Sequence, residues 1–247
     1  MRLFFVVPEQ MTENRVAITG PDVHHITRVL RLGPGDFVSV SDGEGRLSRV
    51  RIDRIADETV EGTVVEAAGA PPETAPSITL AQGLPKGRMF ELILQKAVEL
   101  GAARIVPIST KRAVVRLSGL RATKRLERWR RVAVEAAKQC RRPSVPEVAP
   151  LASLEDFLDD LGPPASTQMR LLLWEEASEP LRELLARGIR PKKVVCLVGP
   201  EGGFEASEVA KATEAGFVAA SLGPRILRTE TAPLALLAIL QHAFGGL

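Results

Sequence analysis

The chain has 247 residues, of which 45% are hydrophobic and 26% charged, with a formal net charge of +3 at pH 7; this is ordinary globular composition, enough for one large core or two modest ones. The longest apolar runs, LFFVVP at the start and APLALLAIL near the end, are too short to span a bilayer, and Met1-Arg2 precedes no signal-peptide pattern, so a cytoplasmic location without a membrane partner is expected. Cys140 and Cys196 form no CxxC and make no ligand spacing with His24, His25 and His242, so neither a metal site nor a disulfide framework is indicated.

In chain order, short alternating segments come first. FVSVSDG, GRLSRVRIDRI and TVEGTVVEA, bounded by Asp, Gly and Glu, read as antiparallel strands of a small barrel or sheet. A boundary falls near residue 72, in the Pro-rich linker AAGAPPETAPS. Beyond it, strand and helix patterns alternate: ITLAQGL, FELILQKAVELG, ARIVPIST, an Arg-rich helix, MRLLLWEE, PLRELLARG, KKVVCLVG, SEVAKATEAG, FVAASLG and a C-terminal helix. Such alternation predicts a parallel sheet covered on both faces, hence an α/β domain. In FELILQKAVELG, Phe90, Ile93, Leu94, Ala97 and Val98 make one apolar face, and Gly101 supplies a left-handed stop. The last helix carries Pro233 in its first turn and is apolar on every side from Leu234 to Leu240, which calls for burial under the sheet or against a partner chain.

Charge is unevenly spread. Residues 1–72 carry eight Arg/Lys against eleven Asp/Glu, whereas Arg104 to Arg142 carry thirteen against two. That basic stretch suits phosphate backbones, and its arginines suit bidentate contacts and stacking on bases. It also fits a solvated helix face, because Leu126, Trp129, Val132, Ala133, Ala136 and Ala137 fall at helical spacing with the charges opposite.

Two glycine-bearing loops stand near the C-terminus, in KKVVCLVGPEGGFEASEV and SLGPRILRTETAPLALLAIL. Each joins a strand pattern to a helix pattern, and two in tandem suggest one pocket. The dinucleotide fingerprint GxGxxG and the P-loop GxxxxGK[ST] are both missing, which weakens kinase, NTPase and ordinary dinucleotide readings. S-adenosylmethionine fits the loops: Gly199, Gly202, Gly203 and Gly223 leave backbone groups open to an adenine, while Val198, Leu222, Ile226 and Leu227 wall the ring.

The motifs LVGPEGG (197–203) and LGPRILRTETA (222–232), with HHITRVLRLGPGD (24–36), QKAVELG (95–101) and QCRRPSVPEV (139–148), run in order through nearly the whole chain. In them the chain resembles the bacterial 16S ribosomal RNA (uridine-N3) methyltransferases of the SPOUT superfamily. The resemblance implies a PUA-like β-barrel, RNA-binding, over residues 1–72, and a SPOUT α/β domain with a deep C-terminal trefoil knot over residues 73–247. It further implies a homodimer packed through the last helix, and 16S ribosomal RNA in the small subunit as substrate. The implied S-adenosylmethionine site comprises Leu172, Val198, Gly199, Pro200, Glu201, Gly202, Gly203, Leu222, Gly223, Ile226, Leu227 and Thr231, with no metal. RNA contacts are implied at His25, Arg28 and Arg31, and the basic surface is expected to hold phosphates through Lys86, Arg88, Lys96, Arg112, Arg128, Arg131 and Arg142. His25, Arg28 and Arg31 are read as one helical row, and a partly buried capping role for His25 stays open. The chain departs from the pattern at Glu205, where relatives usually carry Ser or Thr, and at Lys138, where they often carry Glu.

Uridine N3 is a poor nucleophile until its proton leaves, so the reaction needs charge stabilisation at O2 or O4, or a base, and linear alignment. Arg228 is the first candidate for charge stabilisation, with Arg225, Thr229 and Glu230 behind it in the same polar loop. A structural Arg225–Glu230 ion pair is an equal reading, and Glu201 is open to a role in satisfying backbone donors of its own loop. A transfer RNA methyltransferase of the same fold and a non-catalytic RNA-binding assembly factor remain as alternatives.

Overall fold

A computed structural model of the protein describes residues 2–68, 75–113 and 119–246. The boundary expected near residue 72 lies outside the described residues, as does the middle of the Pro-rich linker. By internal contacts the chain divides into two compact units, one of residues 1–72 with 134–145, the other of residues 73–133 with 146–247.

The first unit contains β1 (Leu3–Phe5), β2 (Arg15–Thr19), α1 (Pro21–His24) continuing into a wider π-type turn (His25–Val29), β3 (Phe37–Ser41), β4 (Leu47–Ile55) and β5 (Thr59–Ala68). They form a mixed sheet in the order β1-β3-β4-β5-β2. The three segments expected to be antiparallel strands, β3, β4 and β5, pair antiparallel, and the sheet is mixed because β1, at one edge, runs parallel to β3. A short 3-10 turn (Pro8–Gln10), β2, α1 and the π-type turn lie between those two strands, enough chain for the crossover that a parallel pair needs. Period-two alternation turns Val38, Val40, Val50, Ile52, Val16 and Ile18 into one core with Phe4 and Ile26. Bulges at Arg49/Val50 and Ile52/Arg54 press β4 onto Gly62, where an added Cβ would lie 2.5 Å from the Arg51 carbonyl oxygen. Residues 134–145 complete the unit: Ser41 Oγ donates to the Pro143 carbonyl at 2.6 Å, Val145 N to the Gly43 carbonyl at 2.9 Å, and Lys138 Nζ to Asp22 at 3.0 Å. The departure at position 138 thus makes an ion pair.

The second unit contains β6 (Ser77–Gly83), α2 (Met89–Glu99), β7 (Arg104–Ser109), the first two-thirds of α3 (Gly119–Cys140), β8 (Glu147–Val148), β9 (Ala152–Ser153), α4 (Leu154–Leu161), β10 (Gln168–Leu173), α5 (Leu181–Ala186), β11 (Lys193–Val198), α6 (Ala206–Glu214), β12 (Val218–Ala220) and α7 (Thr231–Phe244). Every strand pair is parallel, in the order β12-β10-β11-β6-β7-β8, with β9 also on β7. β10 and β11 are buried almost end to end, as strands covered on both faces must be. Leu172, Leu197, Val106, Ile108, Phe157, Phe204 and Phe217 lie in this core.

Gly101 ends α2 at φ +82, in the left-handed region that favours glycine. Phe90 of α2 meets Trp129 of α3 with ring centroids 4.5 Å apart, so the apolar stripe of the Arg-rich helix is core. Helix α4 is absent from the reading above, although Ser153 Oγ caps it by accepting from Asp156 N at 3.0 Å. α7 packs on α2, but a single chain does not cover it all round. Leu236, Leu237 and Leu240 are buried, whereas Ile239 is 41% exposed and Leu234, Ala235 and Ala238 are half-buried. Among the described residues no helix is long and apolar enough to cross a membrane.

Candidate active site

Adjacent parallel strands end side by side, and the loops leaving their carboxyl ends share one crevice. Here the loops after β10, β11 and β12 enclose a cleft of about 630 Å³, the size range of small-molecule sites. Val198, Gly199, Pro200, Glu201 and Gly203 line it from the first glycine loop; Leu222, Gly223, Ile226, Leu227, Arg225, Arg228 and Glu230 line it from the second. The structure therefore brings the two loops together at one cleft.

Glycine is needed here at specific points. Gly203 turns the loop at φ +64, and a Cβ there would stand 3.0 Å from Glu175 Oε1; Gly223, at φ +112, would point one into open space. At the end of β6, a Cβ on Gly83 would lie 2.5 Å from Pro200 N, so the strand end and the loop touch backbone to backbone.

Three of the expected donor-site residues fall outside the cleft lining. Leu172 is wholly buried in the core, because its side chain points to the face opposite that of Leu173, which does line the cleft. Gly202 faces outward, with Arg112 beside it and the Arg112 guanidinium donating to its carbonyl at 3.0 Å. Thr231 is exposed on the first turn of α7, and Ala232 lines the cleft instead. Conversely, Met89, Trp174, Glu175 and Phe204 line it without having been expected, and Thr229, a second-rank candidate of the polar loop, lines it too. The missed signal is the loop after β10, where the apolar run ends in Trp-Glu-Glu without the glycines that mark its neighbours.

Arg225 and Arg228 are exposed and Glu230 is half-buried. Among the described residues none of the three forms an ion pair, so the Arg225–Glu230 brace is absent from this structure. Glu201 does satisfy a backbone donor, but not in its own loop: its Oε1 accepts from Lys86 N at 2.9 Å and ties residues 84–88 to the cleft. The loop before α6 is tied in the same way. Buried Glu208 accepts from Lys111 N and from Glu205 N, both at 2.9 Å, while Glu205 at the N-cap pairs with Lys111 at 3.3 Å. The carboxylate that replaces a hydroxyl at position 205 thus serves an ion pair.

The basic candidates separate by what their charges already do. In the second unit Arg128 pairs with Glu91 at 2.7 Å and Lys96 with Glu99 at 2.9 Å, and Arg112 is engaged by Gly202. Lys86, Arg88 and Arg131 are exposed, and their side chains are unengaged among the described residues. Arg125 reaches toward the Gly87 carbonyl at 3.5 Å, so α3 runs along the loop that Glu201 holds. In the first unit, His25 is half-buried, 2.8 Å from Arg2 and edge-on to Phe4. The expected helical row is broken: the turns end at Val29, and Arg31 takes φ +55 beyond them while Arg28 is exposed. Arg142 Nε donates to Ser144 Oγ at 3.3 Å.

What the cleft can bind follows from its walls. Leu222, Ile226, Leu227, Trp174 and Phe204 offer apolar surface for a flat ring, the glycines leave main-chain donors and acceptors uncovered, and Glu175, Glu201 and Glu230 suit a ligand that carries positive charge. A sulfonium compound bearing an adenine meets all three conditions.

Comparison with known proteins agrees. Residues 72–241 match the model of the RNA methyltransferase domain, and residues 18–65 that of the RNA methyltransferase PUA domain. Ribosomal RNA small subunit methyltransferase E of Bacillus subtilis is 33% identical over 98% of this chain and 96% of its own length; that of Synechocystis is 36% identical over 94% and 75%. The crystal structure of the Neisseria gonorrhoeae ribosomal RNA small subunit methyltransferase E bound to S-adenosyl methionine superposes with a TM-score of 0.87 at 33% identity, over 99% of this chain and 98% of that one. With fold, cleft chemistry and full-length similarity in agreement, the chain belongs to the RNA methyltransferase family, alongside the proteins named ribosomal RNA small subunit methyltransferase E.

Proposed function

We propose that this protein transfers the methyl group of S-adenosylmethionine to N3 of a uridine in 16S ribosomal RNA near the decoding site. The observation that carries the reading is the single cleft made by three neighbouring strand-end loops, with Arg225 and Arg228 at its edge and free of ion pairs among the described residues.

When bound, S-adenosylmethionine supplies an electrophilic methyl group. The chain's own residues do the rest. Val198, Leu222, Ile226 and Leu227 hold the adenine by apolar contact, and the main chain of Gly199 and Gly203 reads its edge. A paired uridine hides N3, so the target base is turned out of its stack before it enters the cleft. Arg228 donates to the uracil oxygen on which negative charge grows, Arg225 supports it, and Glu230 takes the N3 proton. Lys86, Arg88 and Arg131 hold the flanking phosphates.

The reading extends to organisation. The first unit serves as the PUA-like RNA-binding domain, and the second as the SPOUT domain, whose strand order, β12-β10-β11-β6, is compatible with a C-terminal trefoil knot. Two chains pair through the uncovered side of α7, where Ile239, Leu234 and Ala238 await a partner. The substrate is 16S RNA within the small subunit, and the enzyme works in the cytoplasm.

Mass spectrometry of 16S ribosomal RNA from cells lacking the gene is the test. A single methyluridine should disappear and return on complementation with the wild-type gene but not with Arg228→Ala. An unchanged modification profile rules the reading out.

A further inference from the structure

The two glycine loops of the cleft meet at a single buried point. Gln82, next to last in β6, is 0% exposed. Its Nε2 lies within hydrogen-bond distance of the Gly83 carbonyl (3.0 Å), the Gly199 carbonyl (3.1 Å) and Thr229 Oγ1 (3.2 Å). Thr229, 7% exposed, donates its hydroxyl hydrogen to the same Gly199 carbonyl at 2.9 Å. Among the described residues, these contacts are the hydrogen bonds that join residues 199–204 to residues 221–230. Along the chain the two loops are separated by α6 and β12, so covalent continuity does little to set their spacing.

A buried amide is a costly way to fill this position. The Oε1 of Gln82 is also buried and has no partner among the described residues, so the side chain makes its hydrogen bonds through one atom, toward the loops. Leu80 and Ala81 before it are apolar and fully buried, and a methionine would fill the volume without an unpaired oxygen. What methionine could not do is hold Gly199 and Thr229 in register. Thr229 lies between Arg228 and Glu230, so its position sets theirs relative to the loop that begins at Gly199.

We propose that Gln82 and Thr229 form a positioning clasp that fixes the spacing between the donor loop and the loop carrying the reactive side chains. The inference rests on the donor-cleft reading above. Neither residue touches the reacting atoms through the clasp; they act through Gly199, Arg228 and Glu230.

The experiment titrates S-adenosylmethionine by calorimetry and measures single-turnover methylation at saturating donor and RNA, for wild type, Gln82→Met, Thr229→Val, Thr229→Ser and the double variant Gln82→Met/Thr229→Val. Losing the clasp's hydrogen bonds to Gly199 from one side should weaken donor binding by about tenfold in Gln82→Met and in Thr229→Val. Misplacing Arg228 should also slow the saturated step by about tenfold or more. Thr229→Ser keeps the hydroxyl and should recover most of both losses. The double variant should be little worse than the poorer single one, because both changes open the same clasp. Affinity within about twofold and a saturated rate within about threefold of wild type, in variants shown to be folded at the assay temperature, overturn the proposal even if Tm has fallen. If Gln82→Met does not fold, the Thr229→Val and Thr229→Ser pair decides the matter. A wild-type protein that binds no S-adenosylmethionine overturns the donor reading, and this inference with it; the wild-type titration alone tells that failure apart.

Discussion

Gly83→Ala adds one methyl group at the place where β6 abuts the donor loop. The new Cβ would lie 2.5 Å from Pro200 N and 2.9 Å from the Gly199 carbonyl carbon, with Pro200 Cδ closer still. Ordinary contact begins near 3.4 Å, so the Gly199–Pro200 backbone must recede by roughly 1 Å. The obstacle is the Gly199–Pro200 main chain and the proline ring closed onto it, so no flexible side chain can swing away. Overpacking of this kind costs about 1–3 kcal/mol, a fall in Tm of roughly 2–10 °C. The larger effect falls on function, because a shift of that size in a reactive alignment costs on the order of 100-fold in rate. Calorimetric titration with S-adenosylmethionine should show affinity reduced at least tenfold, and single-turnover methylation should fall further, while circular dichroism retains the native spectrum. If Gly83→Ala binds the donor and turns over within about twofold of wild type, the loop does not depend on its contact with β6, and the geometry assigned to the cleft is wrong.

Arg228→Ala should lower single-turnover methylation by about 100-fold to 1000-fold, with donor affinity nearly unchanged; a rate within about threefold of wild type moves the role to Arg225. Replacing Lys86, Arg88 and Arg131 together by alanine should flatten the dependence of log affinity for RNA on log salt by about 0.7 per lost phosphate contact on a single strand, and an unaltered slope returns them to solvent. Arg170, 2% exposed, bonds through its guanidinium to Gln168 Oε1 and to the carbonyls of Leu161, Gly162 and Ala215, with no carboxylate partner among the described residues, and burial lowers its pKa. Arg170→Met leaves those carbonyls unpaired and should cost about 3–5 kcal/mol in urea denaturation; a loss under 1 kcal/mol contradicts that account. Light scattering should find a dimer at micromolar concentration that Ile239→Glu dissociates, whereas a wild-type monomer refutes pairing through α7.

The elements most readable from residues alone were those whose neighbours hardly matter. β10 and β11 announce themselves as continuous apolar runs, and α2 by its Phe90-Ile93-Leu94-Ala97-Val98 face and terminal Gly101. The glycine loops were legible because glycine and proline leave few backbone choices. Strand adjacency was not: β1 beside β3, and β10 between β11 and β12, depend on long-range pairing that no local pattern encodes. Trp174 and Glu175 were missed for that reason, since they join the cleft only because β10 lies next to β11 and β12. Gln82 was invisible for a different reason: in ITLAQGL it reads as a polar residue at a strand end, and its partners Gly199 and Thr229 are distant in sequence. The placement of Arg31 failed through backbone conformation, since a continuous helix through HHITRVLR presumes no left-handed residue.

The first unit is not a contiguous stretch of chain, because residues 134–145 belong to it. On the ribosome this becomes a matter of timing. When residue 72 has been made, the partners of Ser41, Gly43 and Asp22 do not yet exist. At about 5–20 residues per second they follow roughly 4–15 s later, after β6, α2, β7 and most of α3. The N-terminal sheet must therefore wait, incomplete, for a segment made more than sixty residues later, and an isolated fragment of residues 1–72 would lack those partners permanently.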